Sequence, residues 1–341
     1  MVNVLVQLSE INNLDNSHTL HIDKSFKTED LQTYLNTINN TNELYTFYID
    51  KEILKTNLET FMTNKNITDE TKIFVEYEIE KNKYDEEIDL EGHISCMGVC
   101  KKRNGVVLGI YKDDMKIYEK NEIKNFTTQF DENKVGYDIR IIEQGIAYSK
   151  KHGLIDFESC EKLVQGNITA IHKKNDKIFY GLENGELYEL SDTTKLLLTS
   201  KAKIVKILST SQSLLVFVQN GDLHIFNDHT KCIKHDYQIT TAEIYQDKIF
   251  IGTSTNKLIK RVENEEMGYN VDIRYIDHIR VINENVLIIS GQYIVQVVQL
   301  EPYRLINEFK FREEVSGIEY FEGEMFISTG SKIYKKRQLL K

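Results

Sequence analysis

Thr68, Asp69 and Glu70 stand side by side in a polar turn, Lys65-Asn-Ile-Thr-Asp-Glu-Thr71, and they are the residues most able to do chemistry for another molecule. Two adjacent carboxylates beside a hydroxyl are hard oxygen donors, suited to completing the shell of a divalent cation or entering a basic pocket. Such a carboxylate is effective only on a stiff mount, because a group already held in place loses little freedom when it binds. The mount follows directly. Ile73, Val75, Tyr77 and Ile79 alternate with Lys72, Glu76 and Glu78, the period-2 pattern of a half-buried strand. Without that strand the two acids would read as ordinary solvated loop residues.

Other groupings carry weaker chemistry. His229-x-x-Cys232-x-x-His235 has zinc-ligand types at suitable spacing but no clear fourth ligand. Asp113-Asp114 reads as a turn rather than an acid/base dyad. His18 and His21 lie three apart on a strand, hence on opposite faces. No phosphate-binding Gly-rich loop, His-Glu-x-x-His helix or Gly-x-Ser-x-Gly elbow occurs. Cys96, Cys100, Cys160 and Cys232 show no Cys-x-x-Cys spacing, which fits reduced thiols in the cytosol or nucleus. At the C-terminal end, Lys332, Lys335, Lys336, Arg337 and Lys341 read as a solvated basic edge.

The net charge of -10 is unevenly placed: residues 1–80 hold 14 acidic against 6 basic side chains, and the remainder 39 against 37. An acidic N-terminal domain does not track a phosphate backbone, so a basic protein pocket is its more natural partner. No apolar run approaches the roughly 18 to 20 residues that span a bilayer, so no membrane partner is expected. The first residues also lack the basic start of a secretory signal.

The elements that position Glu70 can be read in order. Val2, Val4, Val6 and Leu8 mark a first strand and His18–Ile22 a second. Thr28 precedes Glu29 and Asp30 as an N-cap would, and Leu31, Tyr34, Leu35 and Ile38 form a helical stripe that Asn39-Asn40 ends. A third strand follows over Leu44–Ile49, then a short fourth at Ile53-Leu54, a cramped helical turn at Leu58, Phe61 and Met62, and the closing strand. This order, with first and last strands paired in parallel at the sheet centre, is that of an α+β ubiquitin-like β-grasp domain over residues 1–80.

Beyond Gly92 one pattern recurs seven times: a strand, a tight polar turn and an alternating strand. The hairpins begin at Val107, Ile146, Ile178, Leu214, Ile249, Leu287 and Met325, spaced by 39, 32, 36, 35, 38 and 38 residues. Asn184-Gly185 and Asn220-Gly221 are hairpin turn signals. Short apolar strands such as Ile168–Ile171 and Ile204–Ile207 lie ahead. Strands with a period near 36 and no helical stripe between them predict an all-β seven-bladed propeller over 92–341. The seventh repeat ends without room for a fourth strand. Residues 81–91 are therefore a linker whose stretch Tyr84–Leu90 closes the ring and hides the open edge.

Phe47-Tyr-Ile-Asp-Lys-Glu-Ile-Leu-Lys-Thr-Asn-Leu-Glu-Thr-Phe61 and Asn66-Ile-Thr-Asp-Glu-Thr-Lys-Ile-Phe-Val-Glu-Tyr77 resemble the Notchless-type (NLE) family of ribosome-assembly factors. Within it they are most similar to the WD-repeat subunits of pescadillo (PeBoW) complexes. The resemblance is specific over residues 44–80 and architectural beyond; the propeller has no Trp-Asp dipeptide and one Gly-His pair, Gly92-His93. It implies a non-enzymatic factor on large-subunit (pre-60S) precursors in the nucleolus and nucleoplasm, acting in rRNA processing. Its propeller would dock on a Bop-type WD-repeat protein that binds pescadillo. The ubiquitin-like domain would be gripped by the AAA ATPase midasin, whose metal-ion-dependent adhesion site (MIDAS) takes its last ligand from the client. Glu70 matches that ligand, with Asp69 and Thr68 beside it, and the Mg²⁺ would be shared with the ATPase, the chain having no cofactor of its own. The basic C-terminal end would be the place for contact with ribosomal RNA.

Three rivals remain at this level. A Notchless-like pre-60S factor would share the handle and dock elsewhere. A propeller adaptor would recruit substrates to a ubiquitin ligase. A propeller hydrolase would need acids or histidines clustered at the inner strand ends, and no such cluster is evident in the linear sequence.

Overall fold

The structure, a computed structural model, describes the chain except residues 1, 2, 12, 51, 69, 70, 112–114, 126–138, 150–152, 157–160, 163, 165, 176, 228, 338, 340 and 341. Two compact units divide it, Met1–Asp85 and Glu86–Lys341.

Among the described residues the first unit has five strands and two α-helices: β1 (Asn3–Glu10), β2 (Asn13–Asp23), α1 (Thr28–Asn39), β3 (Tyr45–Ile49), β4 (Glu52–Ile53), α2 (Leu58–Lys65) and β5 (Ile73–Ile79). The sheet order is β2-β1-β5-β3-β4. β1 and β5 run parallel, Val6 facing Ile73 and Leu8 facing Val75, and every other pair is antiparallel. This is the β-grasp topology. Alternation puts Val4, Val6 and Leu8, Tyr45, Phe47 and Ile49, and Ile73, Val75 and Tyr77 in one core with Leu31 and Leu35 of α1. Phe74, between two of these positions, is 58% exposed.

The helix ends differ from the sequence reading. The N-cap of α1 is Lys27, not Thr28, because Asp30 reaches back and its carboxylate accepts the Lys27 N–H at 2.9 Å. Asn40, in the left-handed region at φ 49°, closes it. The expected cramped turn is the eight-residue α2. Asn57 caps it by accepting the Thr60 N–H at 2.8 Å, and Asn66 ends it at φ 54°. The span 81–91 is also not one linker. Glu80 and Lys83 are buried in the first unit, where the Lys83 ammonium donates to Thr46 Oγ1 at 2.7 Å and lies 3.5 Å from Glu80.

The second unit is seven four-stranded sheets. Their innermost strands are Ile94–Cys100, Ile139–Glu143, Ile168–Lys174, Ile204–Ser209, Ile239–Tyr245, His278–Asn283 and Val315–Phe321 for blades 1 to 7. Each packs beside the next, and that of blade 7 beside that of blade 1, so the ring is closed. The unit is a seven-bladed β-propeller. Among the described residues all seven inner strands carry a bulge, at Ser95, Arg140, Thr169, Val205, Thr240, Ile282 and Ser316. Three of the bulged residues use a hydroxyl to bind the following blade: Ser95 donates to the Ile139 carbonyl at 2.6 Å, Thr169 to that of Ile204 at 2.6 Å, and Thr240 to that of Ile276 at 2.5 Å.

Ring closure is as expected from the missing strand. β6 (Glu86–Asp89) is the outer strand of blade 7, with Ile88 opposite Ile333 and Glu86 opposite Lys335. Of the basic C-terminal end Lys335 is not part of a solvated edge, whereas Arg337 is exposed and Lys332 and Lys336 are half-buried. Lys335 is 1% exposed, Lys332 pairs with Glu87 at 2.6 Å, and Arg337 donates to Glu324 at 2.6 Å. The acidic β6 and Glu324 draw these cations onto the ring seam; Lys341 lies outside the described residues.

Candidate functional site

The turn ahead of β5 is fixed at both ends. Behind it, the left-handed Asn66 turns the chain out of α2 and the Ile67 N–H donates to the Met62 carbonyl at 2.9 Å. Ahead of it, β5 lies between β1 and β3 at the middle of the sheet. Thr68 is exposed; its carbonyl accepts the Thr71 N–H at 3.1 Å, and the two hydroxyls are 3.0 Å apart. Asp69 and Glu70 themselves lie outside the described residues.

The propeller axis holds what the linear sequence hid. Glu143 of blade 2, Lys206 of blade 4, Glu243 of blade 5, Arg280 of blade 6 and Glu319 of blade 7 converge from the inner strands. Arg280 donates to both carboxylate oxygens of Glu319, Nε at 2.9 Å and Nη2 at 2.7 Å, and its Nη1 reaches Glu243 at 3.3 Å. Lys206 donates to Glu143 at 2.6 Å, spanning from blade 4 to blade 2. His172 of blade 3 is buried, its Nε2 2.8 Å from Ser209 Oγ. The expectation that no acids or histidines gather at the inner strand ends is thus overturned. The five charged residues lie on five different inner strands, and only the ring brings them together. One signal was present: Glu143, His172, Glu243 and Glu319 each occur three residues after the bulge of their strand.

The charges set one another. Burial alone would raise the Glu143 carboxylate, but Lys206 and Arg280 outweigh it and hold it below the ordinary range. Burial pushes Glu243 above that range, against the pull of Lys206 and Arg280 and with the push of Glu143. Burial brings His172 down to about 4 and His278, on the inner strand of blade 6, to about 3. Both imidazoles are therefore neutral at physiological pH. Beside this cluster is a cavity of about 560 Å³, lined among others by Cys100, Lys101, Arg103, Glu143, Lys173 and Glu319. Its volume suits a small ligand or an inserted side chain. Glu319 and Glu143 are closed into ion pairs with cations of other blades, so the arrangement braces the ring across its axis.

The histidine and cysteine motif resolves differently from its linear spacing. Cys232 lies across the outer hairpin of blade 4 from His224, with Asp222 two residues before His224. His235 instead stacks on Tyr237, its Nδ1 3.4 Å from Glu266, and the His229 N–H binds Asn227. His18 and His21 stay apart, His18 packing edge-on against Tyr34. Asp113 and Asp114 lie outside the described residues.

The class these observations define is a seven-bladed propeller preceded by a β-grasp unit. No protein-family model and no curated protein matches the chain in sequence. Solved structures do match it in fold. The computationally designed Ika8 protein has a TM-score of 0.51 at 11% identity over 73% of this chain and 98% of that one. Raptor of Chaetomium thermophilum has 0.60 at 8% identity over 74% of this chain and 29% of its own. BBS1N, in complex with ARL6DN, has 0.54 at 11% identity over 74% and 95%. At such identities the likeness is one of propeller fold alone.

Proposed function

We propose that this chain is a non-enzymatic assembly factor of the large ribosomal subunit, working in the nucleolus and nucleoplasm. In this reading the propeller docks on a Bop-type WD-repeat partner within a pescadillo complex. The β-grasp unit is the handle by which the AAA ATPase midasin takes hold of the pre-60S particle, Glu70 completing the Mg²⁺ shell of the MIDAS with Asp69 and Thr68 beside it. The observation that supports this is the mount: Thr68, hydrogen-bonded to Thr71, follows a capped helix and leads to the central strand of a β-grasp sheet. A carboxylate on such a turn is already positioned for a cation held elsewhere. The axial ion pairs favour a scaffold over a hydrolase, since their carboxylates are spent on cations of the same ring.

Purification of the tagged full-length chain from its own cells tests the reading. A Bop-type protein, pescadillo and large-subunit precursors should come with it. Recovery of ubiquitin-ligase subunits instead would replace this reading by that of a substrate adaptor, and pre-60S particles without a Bop-type protein would favour a Notchless-like factor.

A further inference from the structure

We propose that the outer hairpin of blade 4 carries a divalent-metal site, with Asp222, His224 and Cys232 as ligands and zinc as the ion. This inference is independent of any reading of the partners. Among the described residues these three bring one ligating atom each to within 4.8 Å of the others.

The sheet places them. Asp222 and His224 are two apart on the strand Asp222–Phe226, so they share a face, and Cys232 stands directly opposite His224 on Thr230–Lys234. The Cys232 sulfur is 3.9 Å from His224 Nε2. Tetrahedral zinc, with bonds of about 2.3 Å to sulfur and 2.0 Å to nitrogen, would hold those atoms roughly 3.5 Å apart. For this pair a closure of a few tenths of an ångström is therefore enough, and the Asp222 carboxylate, within 4.8 Å of both, comes in by side-chain rotation. Asp222 is held in place by its neighbour: Asn220 Nδ2 donates to Asp222 Oδ2 at 2.9 Å, and Asn220 Oδ1 accepts the Asp222 N–H. That leaves Oδ1 for an ion and gives the carboxylate the outer-shell support that metal ligands have.

The donor set selects the ion. Thiolate, imidazole and carboxylate together suit borderline zinc and not Mg²⁺ or Ca²⁺, which prefer oxygen alone. Three protein ligands leave a fourth position for water, and with Cys232 exposed the site is open to solvent. Burial lowers the His224 pKa, so its imidazole is neutral and its nitrogen lone pair is available. Burial and then Asp222 push the Cys232 thiol up, while Lys234 opposes them. The metal-free thiol is thus protonated at neutral pH. Binding breaks the S–H bond, forms a metal–sulfur bond and releases one proton per ion, with nothing oxidised or reduced.

The test is a titration of the reduced, metal-stripped full chain with Co²⁺ as spectroscopic stand-in, followed by displacement with Zn²⁺. One equivalent should give the sulfur-to-cobalt charge-transfer band and the intense visible bands of a tetrahedral ion, and Zn²⁺ should erase both. Cys232→Ser should remove the charge-transfer band. His224→Ala should weaken Zn²⁺ binding by about tenfold or more, since even outer-shell changes cost that much. His229→Ala should change neither. Circular dichroism confirms that each variant folds, with His224→Gln as the alternative where Ala does not. Absence of the charge-transfer band in the unaltered chain overturns the site, as does its survival in Cys232→Ser or its loss in His229→Ala.

Discussion

Lys335, on the third strand of blade 7, donates to the Tyr118 hydroxyl of blade 1 at 3.0 Å while only 1% exposed, and so ties together the two blades between which the ring closes. The same ammonium reaches Asn121 Oδ1 at 2.9 Å and Glu324 at 2.9 Å, and it lies over the rings of Tyr118 and Phe326 at 5.2 and 5.9 Å. A buried cation with this many acceptors costs more to remove than a surface pair, because its partners are left without it. Lys335→Ala should destabilise the protein by about 3 kcal/mol. Lys332→Ala, which breaks the more exposed pair with Glu87, should cost under about 1 kcal/mol. Urea denaturation of both variants checks the contrast, and equal midpoints would show that the seam is not held at Lys335.

In the proposed function Glu70 serves partner binding rather than folding. Glu70→Ala should leave the thermal midpoint unchanged and abolish the metal-dependent part of binding to the midasin MIDAS domain. Glu70→Asp should retain some of it, since a carboxylate is still offered. Binding by the unaltered chain that is the same with and without EDTA would remove the cation from the proposal while leaving the scaffold role standing.

Arg280 donates to Glu319 and Glu243 at once. Arg280→Met would leave two carboxylates in a confined space, at a cost of about 3 kcal/mol near pH 7. Burial already holds the Glu243 carboxylate above its ordinary range, and losing the Arg280 cation that opposes this pushes it further above the unfolded value of about 4.3, so the penalty is present at neutral pH and fades as pH falls toward that value. The stability gap between variant and unaltered protein should therefore narrow from pH 7 to pH 5. A gap of constant size would mean that the loss is one of packing.

Gly185 and Gly221 show how far local sequence signals reach. Asn184-Gly185 and Asn220-Gly221 read as two-residue hairpin turns. In the structure the turn spans Glu183-Asn184, with the Gly185 N–H bound to the Leu182 carbonyl, and the glycine follows at φ 88°. A Cβ there would lie 2.5 Å from the Ser200 carbonyl oxygen and 2.6 Å from that of Ala202; at Gly221, φ 100°, it would lie 2.5 Å from that of Tyr237. Gly185→Ala should cost more than about 1 kcal/mol, and Asn184→Ala less. Thermal melts of the two variants decide; a larger loss at Asn184 would return the turn to its simpler form.

Strands, blade number and the closing strand β6 were legible because each depends on a pattern local to a few residues, or on counting strands. Val4 to Leu8 and Ile73 to Tyr77 announce their buried face by alternation, and the incomplete seventh repeat demands a donor. What the sequence did not disclose depends on ring geometry or strand register. Lys206 and Glu143 are 63 residues apart and meet only across the axis. Cys232 finds its neighbours by cross-strand register to His224, which spacing to His229 and His235 could not express. Lys335, in a run of cations that looked solvated, is buried because its blade lies against Tyr118.

His172 makes the axis sensitive to acid in a way that can be separated from its carboxylates. Its imidazole, buried with Nε2 against Ser209 Oγ, titrates at about 4 in the folded protein against an ordinary 6.5. A depressed histidine pKa means that the unfolded chain takes up the proton first as pH falls. The stability it contributes is complete above 6.5, declines below that value, and is lost in full by about 4. His278, brought down to about 3, acts in the same direction and further down the scale. His172→Gln, which keeps a polar group near Ser209 but does not titrate, should flatten the fall in stability between pH 6.5 and 4 while leaving the lower limb, where His278 and the carboxylates act, in place. Urea midpoints measured across this range for both proteins make the comparison. Parallel curves would assign the acid sensitivity to the ion pair of Glu143 with Lys206 rather than to this buried ring.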